Sequence, residues 1–230
     1  LDGLYCLSET AKTYCEEVYG AVNGKCAVSR LGVDLPINPS KPSTLKNFSI
    51  VSTSFIVPVK RIDKIINSVA LFASTNTRLN ISWVHIGDGP LTNEMMKLAE
   101  KQLARQQNVS FSFLGSLSNK KVLKFYQENN VDCFLNASES EGIPVSIMEA
   151  MAAGIPAVAP DVGGISDLIS DECGVLMSKQ ANIDEIVDAL GSIDDSRHTA
   201  NLRNKSREVV GLFFNRVTNY RWFIQSLEQL

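Results

Sequence analysis

The chain has 230 residues, 44% of them hydrophobic, and a formal net charge of −3. This is enough chain for one large domain, or a domain with an appendage, whose core needs no disulfide or metal. The near-neutral balance removes the electrostatic case for a nucleic-acid partner, and no apolar run reaches the ~18–20 residues of a membrane span. Cys6, Cys15, Cys26, Cys133 and Cys173 are odd in number, scattered and without C-x-x-C spacing. That pattern predicts reduced thiols of a cytoplasmic protein and no metal site. The start, Leu1-Asp2-Gly3, has no basic region, cleavage site or initiator Met, as expected for a piece of a longer protein without a signal peptide.

In chain order, Leu4–Leu7 reads as a strand end, and Ser8 caps a helix to about Tyr19. Gly20 and Gly24 punctuate the turn before a short strand at Cys26–Ser29. Pro36, Pro39 and Pro42 mark a linker, so the main domain begins near Leu45. From there short apolar runs alternate with amphipathic stretches. Strands are predicted at Phe48–Ser54, Asn80–Ile86, Val109–Leu114, Asp132–Asn136, Ala157–Ala159 and Val175–Met177. Ile62, Ile65, Ile66, Val69 and Ala73 share one helical face; Met95, Leu98 and Leu103 mark a second helix. Val122, Phe125 and Tyr126 mark a third, with Ser118 as its N-cap. Asn182 caps a helix over Ile183–Leu190, with Glu185 completing a capping box. The tail from Arg207 reads as helical. This alternation predicts a Rossmann-like, doubly wound parallel α/β sheet. The apolar strands predict that helices cover both faces. His85 falls inside a strand and reads as a core histidine. The N-x-S triplets at Asn47, Asn80, Asn108, Asn136 and Asn204 read as chance matches to a glycosylation signal.

Ligands of such sheets bind beyond the carboxyl ends of the strands, so the strand-to-helix turns carry the candidate chemistry. After Asn136 comes Ser138-Glu139-Ser140-Glu141-Gly142-Ile143-Pro144-Val145-Ser146, then Glu149. Gly142 permits a tight turn, and Pro144 suits the first turn of a helix. The free amides near Val145 and Ser146, with the helix dipole, favour a phosphate. Glu149 suits the paired hydroxyls of a ribose. Solvated glutamates on an amphipathic helix are the alternative. After the first main strand, Lys60 and Arg61 stand where a diphosphate would need cations. Gly87 and Gly89 flank Asp88 in a third turn without completing a G-x-G-x-x-G fingerprint, and read as a structural turn in isolation. Gly163-Gly164 forms a fourth.

At these residues the sequence resembles glycosyltransferase family four, the retaining enzymes of GT-B fold. The resemblance rests on Glu141, seven residues, and Glu149-Ala150-Met151-Ala152-Ala153-Gly154, with Pro58-Val59-Lys60, Gly87-Asp88-Gly89-Pro90-Leu91 and Phe113-Leu114-Gly115 in the family's order. It covers roughly residues 1–190. It implies a nucleoside-diphosphate sugar as donor and no cofactor or metal. It implies that Glu141 is the catalytic-site carboxylate near the donor sugar, and that Glu149 holds the ribose. Lys60, helped by the amides around Val145 and Ser146, would hold the diphosphate, the backbone near Leu114 and Gly115 would contact the base, and Gly87, Gly89, Gly142 and Ile143 would belong to the same donor-binding site. The sequence departs from the family at Ser54-Phe55, where Gly-Arg is common, and at Arg61, where Gly is frequent. Arg61 is expected to supply the missing cation. Asp167 stands where the family often has Glu.

The resemblance further implies that residues 1–45 end an acceptor-side domain and its linker. Residues 46–230 would be the donor-binding domain, with Arg221-Trp222-Phe223 on a helix crossing back. The partner would be a missing N-terminal acceptor domain, with the inner face of the membrane reached through it, and the pathway bacterial polysaccharide assembly. The isolated chain is then expected to bind donor weakly and transfer sugar poorly. A GT-B epimerase and a non-catalytic nucleotide-sugar-binding module are the alternatives. A nicotinamide-dependent oxidoreductase is disfavoured, because the first turn has no glycine fingerprint.

Overall fold

The computed structural model describes residues 3–20, 24–197 and 200–228. Near the start, β1 (Leu4–Cys6) and β2 (Cys26–Val28) pair in parallel around α1 (Glu9–Val18). The Ser8 hydroxyl accepts from the Ala11 amide and caps α1 as expected. Leu1 and Asp2 of the start lie outside the described residues.

The main sheet follows the sequence alternation closely. Its strands are β3 (Asn47–Thr53), β4 (Asn80–Ile86), β5 (Val109–Phe113), β6 (Cys133–Leu135), β7 (Ala157–Pro160) and β8 (Gly174–Met177). All pair in parallel, in the order β5-β4-β3-β6-β7-β8. The intervening helices are α2 (Ile62–Thr75), α3 (Thr92–Leu103), α4 (Asn119–Glu128), α5 (Val145–Ala152) and α6 (Ile183–Ser196). The order reverses between β3 and β6, opening a crevice beyond their carboxyl ends, where doubly wound sheets bind ligands.

Two apolar layers sandwich the sheet. Phe48, Ile50, Ile81 and Trp83 pack on α2, α3 and α6. Val51, Ile86 and Phe134 pack on α4, α5 and Val210. His85 is fully buried, with Nδ1 2.9 Å from the Ser52 hydroxyl, which also accepts from the Trp83 indole at 3.0 Å. Burial lowers its pKa to about 4, against a weaker upward pull from the Ser54 carbonyl. It is therefore a neutral core histidine.

Several local expectations are corrected. Pro144 stands at the cap of α5, with φ −76° and ψ 109°, rather than inside its first turn. Ser118 occupies the cap of α4 but makes no side-chain cap bond; its carbonyl instead receives the Lys121 and Val122 amides. Asn182 caps α6 through the Glu185 amide, but the Glu185 carboxylate turns to the Ser178 amide and hydroxyl, so the capping box is not closed. The tail is two helices, α7 (Ala200–Phe213) and α8 (Arg216–Leu227), because Asn215 starts a new helix by accepting from Val217 and Thr218. The sheet is also not apolar on both faces throughout. Ser49, Ser82 and Ser110 form an in-register row across β3, β4 and β5, and all three retain solvent exposure.

The proline-marked segment is stitched to the body. The Ser40 amide donates to Ala153, Arg203 and Arg207 donate to the carbonyls of Ser40 and Pro36, and the Ser43 amide donates to Asp132. Asp132 also accepts from the Ser49 amide and pairs with Arg197 at 3.0 Å, both side chains being buried. At the far end, Tyr5 packs edge-on against Trp222 and Phe223. Among the described residues no helix is long and apolar enough to cross a membrane.

Candidate functional site

A cavity of about 410 Å³ opens at the strand-order reversal, within the size range of small-ligand sites. Four turns build it, those after β3, β4, β5 and β6, closed by the start of α5. Of the residues singled out from sequence, Lys60, Gly87, Glu141, Val145 and Ser146 line it.

Lys60 ends a 3-10 turn, Pro58–Lys60, that Pro58 opens. Its ammonium reaches both Glu141 oxygens, at 2.7 and 2.8 Å. Asn136 donates to the same carboxylate at 3.1 Å, while its own side-chain oxygen accepts the Ser138 amide. The loop is braced from behind. Gly164 donates to the Gly142 carbonyl at 2.7 Å. Gly163 has φ +61°, and a Cβ there would lie 1.9 Å from the Glu141 carbonyl. The glycine pair thus fixes the carboxylate loop by close backbone approach.

α5 is buried along most of its length, from Ile147 to Ala152, so its axis is held by the core. Its first turn presents Val145 and Ser146 to the cavity. Among the described residues their amides find no protein acceptor, as at any helix start. Glu149, one turn on, is only 9% exposed. It accepts from the Asn119 amide group at 2.5 Å, and burial raises its pKa although Asn119 opposes this. Ile143 is buried in the core and Gly142 is exposed beside Glu141; neither they nor Glu149 are among the residues lining the cavity.

The remaining candidates sit differently. Arg61 turns away, into a second cavity shared with Asp63, Glu94 and Glu139. It pairs with Asp63 at 2.8 Å and with Glu139, and Asp63 foremost raises its pKa. It is also the one non-glycine residue with positive φ among the described residues, at 49°. Gly87 has φ +147°, and a Cβ there would lie 1.8 Å from the Ser54 carbonyl; a Cβ on Gly89 would lie 2.4 Å from the Ile56 carbonyl. These glycines bring two turns together. Leu114 is 41% exposed at the end of β5, and its amide donates to the His85 carbonyl; the Gly115 carbonyl accepts the Gly87 amide. The adjoining Ser116 and Leu117 reach the cavity.

Thr53 and Ser116 line the cavity without having been singled out, and Ser54, Phe55 and Asp88, named only within their motifs, line it too. Phe55, 60% exposed, replaces part of the family's Gly-Arg and so offered a signal. Asn119 and Asn136, which hold the two glutamates, carried none. Among the described residues no group of three or more His, Cys, Asp or Glu is placed to hold a metal ion.

The sequence model of glycosyl transferases group 1 matches residues 37–209. The chain belongs to this family. An uncharacterised glycosyltransferase of Haemophilus influenzae is 26% identical over 190 residues, 82% of this chain and 50% of its own. A GDP-mannose-dependent α-mannosyltransferase of Corynebacterium glutamicum is 28% identical over 133 residues, 57% of this chain and 30% of its own. Anabaena HepE, solved with UDP and glucose, superposes with a TM-score of 0.78 at 19% identity, covering 100% of this chain and 64% of HepE. The chain thus spans half or less of the length of these two curated relatives. In this group 1 chain the left-handed backbone at Arg61 explains why glycine is frequent there: glycine adopts φ > 0 without steric cost.

Proposed function

We propose that this chain is the donor-binding half of a retaining glycosyltransferase that moves a hexose from a nucleoside-diphosphate sugar to a glycan or lipid-linked acceptor. The observation that carries the reading is the meeting of Lys60 and Glu141 in a cavity under the free amides of Val145 and Ser146. The ammonium and the helix-start amides are suited to the diphosphate, since both favour an anion at one point. Glu149, one turn along α5 from the lining Val145 and Ser146, suits a ribose: hydrogen bonds from two hydroxyls to an ionised carboxylate would outweigh the bond to Asn119. Glu141, fixed by Lys60 and Asn136, stands where the donor sugar would lie. Its carboxylate, held by Lys60, is suited to stabilising positive charge at the anomeric carbon. Leaving phosphate and acceptor hydroxyl then share the transferred proton on one face, without a covalent glycosyl-enzyme. The rim at Leu114–Leu117 is suited to the base. No metal is required, because Lys60 and the amides supply the positive field.

HepE carries UDP in its crystal, and the C. glutamicum relative is named for GDP-mannose, so the test must vary the base. Calorimetry with UDP, GDP and ADP should give saturable binding of at least one. Lys60→Ala should then weaken that nucleoside diphosphate about 10–100-fold, the loss of one charge-assisted contact, while leaving the nucleoside unchanged. Equal losses for both would place Lys60 away from the phosphates. No binding of any of the three by the wild-type chain would remove the reading.

A further inference from the structure

At the opposite end of the same strands lies a third open cavity, of about 400 Å³. Its floor is the row Ser49, Ser82 and Ser110, and one wall is Phe125 with Asn129 and Asn130, where α4 runs out. At the rim the Asn80 side chain donates to the Asn47 side chain at 3.2 Å. Along β3, Ser49 of this groove and Thr53 of the crevice are four residues apart, ~13 Å at ~3.3 Å per residue.

The groove accounts for the repeated N-x-S triplets. Asn47-Phe48-Ser49, Asn80-Ile81-Ser82 and Asn108-Val109-Ser110 each open one of three neighbouring strands. The parallel register sets Asn47 beside Asn80, and Ser49 beside Ser82 beside Ser110. In each triplet the middle residue packs on the α2–α3 face and the serine stands on the other. A doubly covered sheet calls for an apolar side chain at the serine position. Three strands present a hydroxyl there instead, and among the described residues nothing in the protein takes up these three hydroxyls.

The chemistry of the lining selects a ligand. No lining residue carries a charge, although charged residues make up 20% of the chain. Phosphates, nucleic acids, metal ions and acidic or basic peptides therefore gain no Coulombic attraction there. Hydroxyls and carboxamides both donate and accept, which matches a ligand whose edge is a run of hydroxyls. The partly buried Phe125 ring supplies apolar surface for the C–H face of such a ligand. A peptide adding as a strand would need the backbone edge of β5 rather than the sheet face. We propose that this groove is a binding site for a neutral oligosaccharide, separate from the nucleotide crevice. The inference stands on the groove's own residues, whether or not the nucleotide-sugar reading holds.

The test is an NMR titration of the 230-residue chain with maltotriose, cellotriose, mannotriose and chitotriose. At least one should produce saturable amide shifts at Ser82, Ser110 and Asn130, with a Kd in the millimolar range or tighter. Ser82→Arg, which fills the floor, and Asn130→Ala, which removes one carboxamide, should each weaken that sugar about tenfold or more. Neither should change the affinity for UDP, GDP or ADP, so failure of the groove and failure of the crevice are read separately. If Ser82→Arg does not fold, Asn130→Ala carries the test alone. Absence of groove shifts for all four sugars up to about 10 mM, beyond the range of weak specific sites, would overturn the proposal. So would shifts confined to the crevice, or groove shifts that track protein concentration and so report a second copy of the chain.

Discussion

Two ion pairs stand near opposite ends of the same sheet and show how burial divides structure from function. Near the amino end, Arg197 and Asp132 are 1% and 0% exposed. Asp132 spends its remaining capacity on the Ser43 and Ser49 amides. At the carboxyl end, Lys60 and Glu141 are 21% and 9% exposed and face an open cavity. The first pair is buried and closed to any entering group. The second keeps an ammonium that an entering anion can share. An ion pair is evidence of a site only where its desolvation is incomplete and its geometry leaves room for a third partner.

The sharpest test of that contrast is stability. Asp132→Ala should cost about 3–5 kcal/mol by urea denaturation, because it leaves the buried Arg197 guanidinium with Asp194 alone as counter-ion and frees the Ser43 and Ser49 amides. Glu141→Ala should cost less than about 1 kcal/mol, as for a partly solvated pair. Similar losses would collapse the distinction.

Next in size is a pH effect away from either pair. His85 binds protons more weakly folded, at about 4, than at its ordinary 6.5. Between those values the unfolded chain holds more protons, so stability should fall as pH drops from about 6.5 to about 4, by up to ~3 kcal/mol. His85→Gln should flatten that slope in thermal melts; an unchanged slope would assign it to other groups.

Glu149 has the reverse sign. Burial raises its pKa, so the folded chain holds the proton longer. Its contribution is fully present below the ordinary carboxylate value and is lost as pH rises through the raised one. Glu149→Gln should therefore melt higher at neutral pH yet bind nucleotide about tenfold more weakly. A variant that is both less stable and normal in binding would make Glu149 a packing residue. The smallest effect belongs to Arg61. Arg61→Gly relieves a left-handed backbone but loses two exposed pairs, and should change stability by less than about 1 kcal/mol without altering nucleotide affinity.

The strands and most helices were legible because their periodicities differ and their turns carry glycine or proline. The glutamate pair was legible as a motif, and Lys60 as a cation where a helix start disfavours one. What sequence left dark depended on direction rather than presence. Arg61 and Lys60 are adjacent, yet a left-handed residue aims one at Asp63 and Glu139 and the other into the crevice. The glycines at 87 and 163 stand back to back with neighbouring turns, a contact between segments far apart in the chain. The serine row was in view within N-x-S triplets, but it takes a strand register to set three such triplets side by side.

The proline-marked stretch bears on motion. A strap fastened at Pro36, Ser40 and Ser43 holds no slack, so it would serve as a rivet line more than as a pivot. Any rocking of the β1–α1–β2 unit against the sheet must then take its bend before Pro36, with α8 carried along through Tyr5, Trp222 and Phe223.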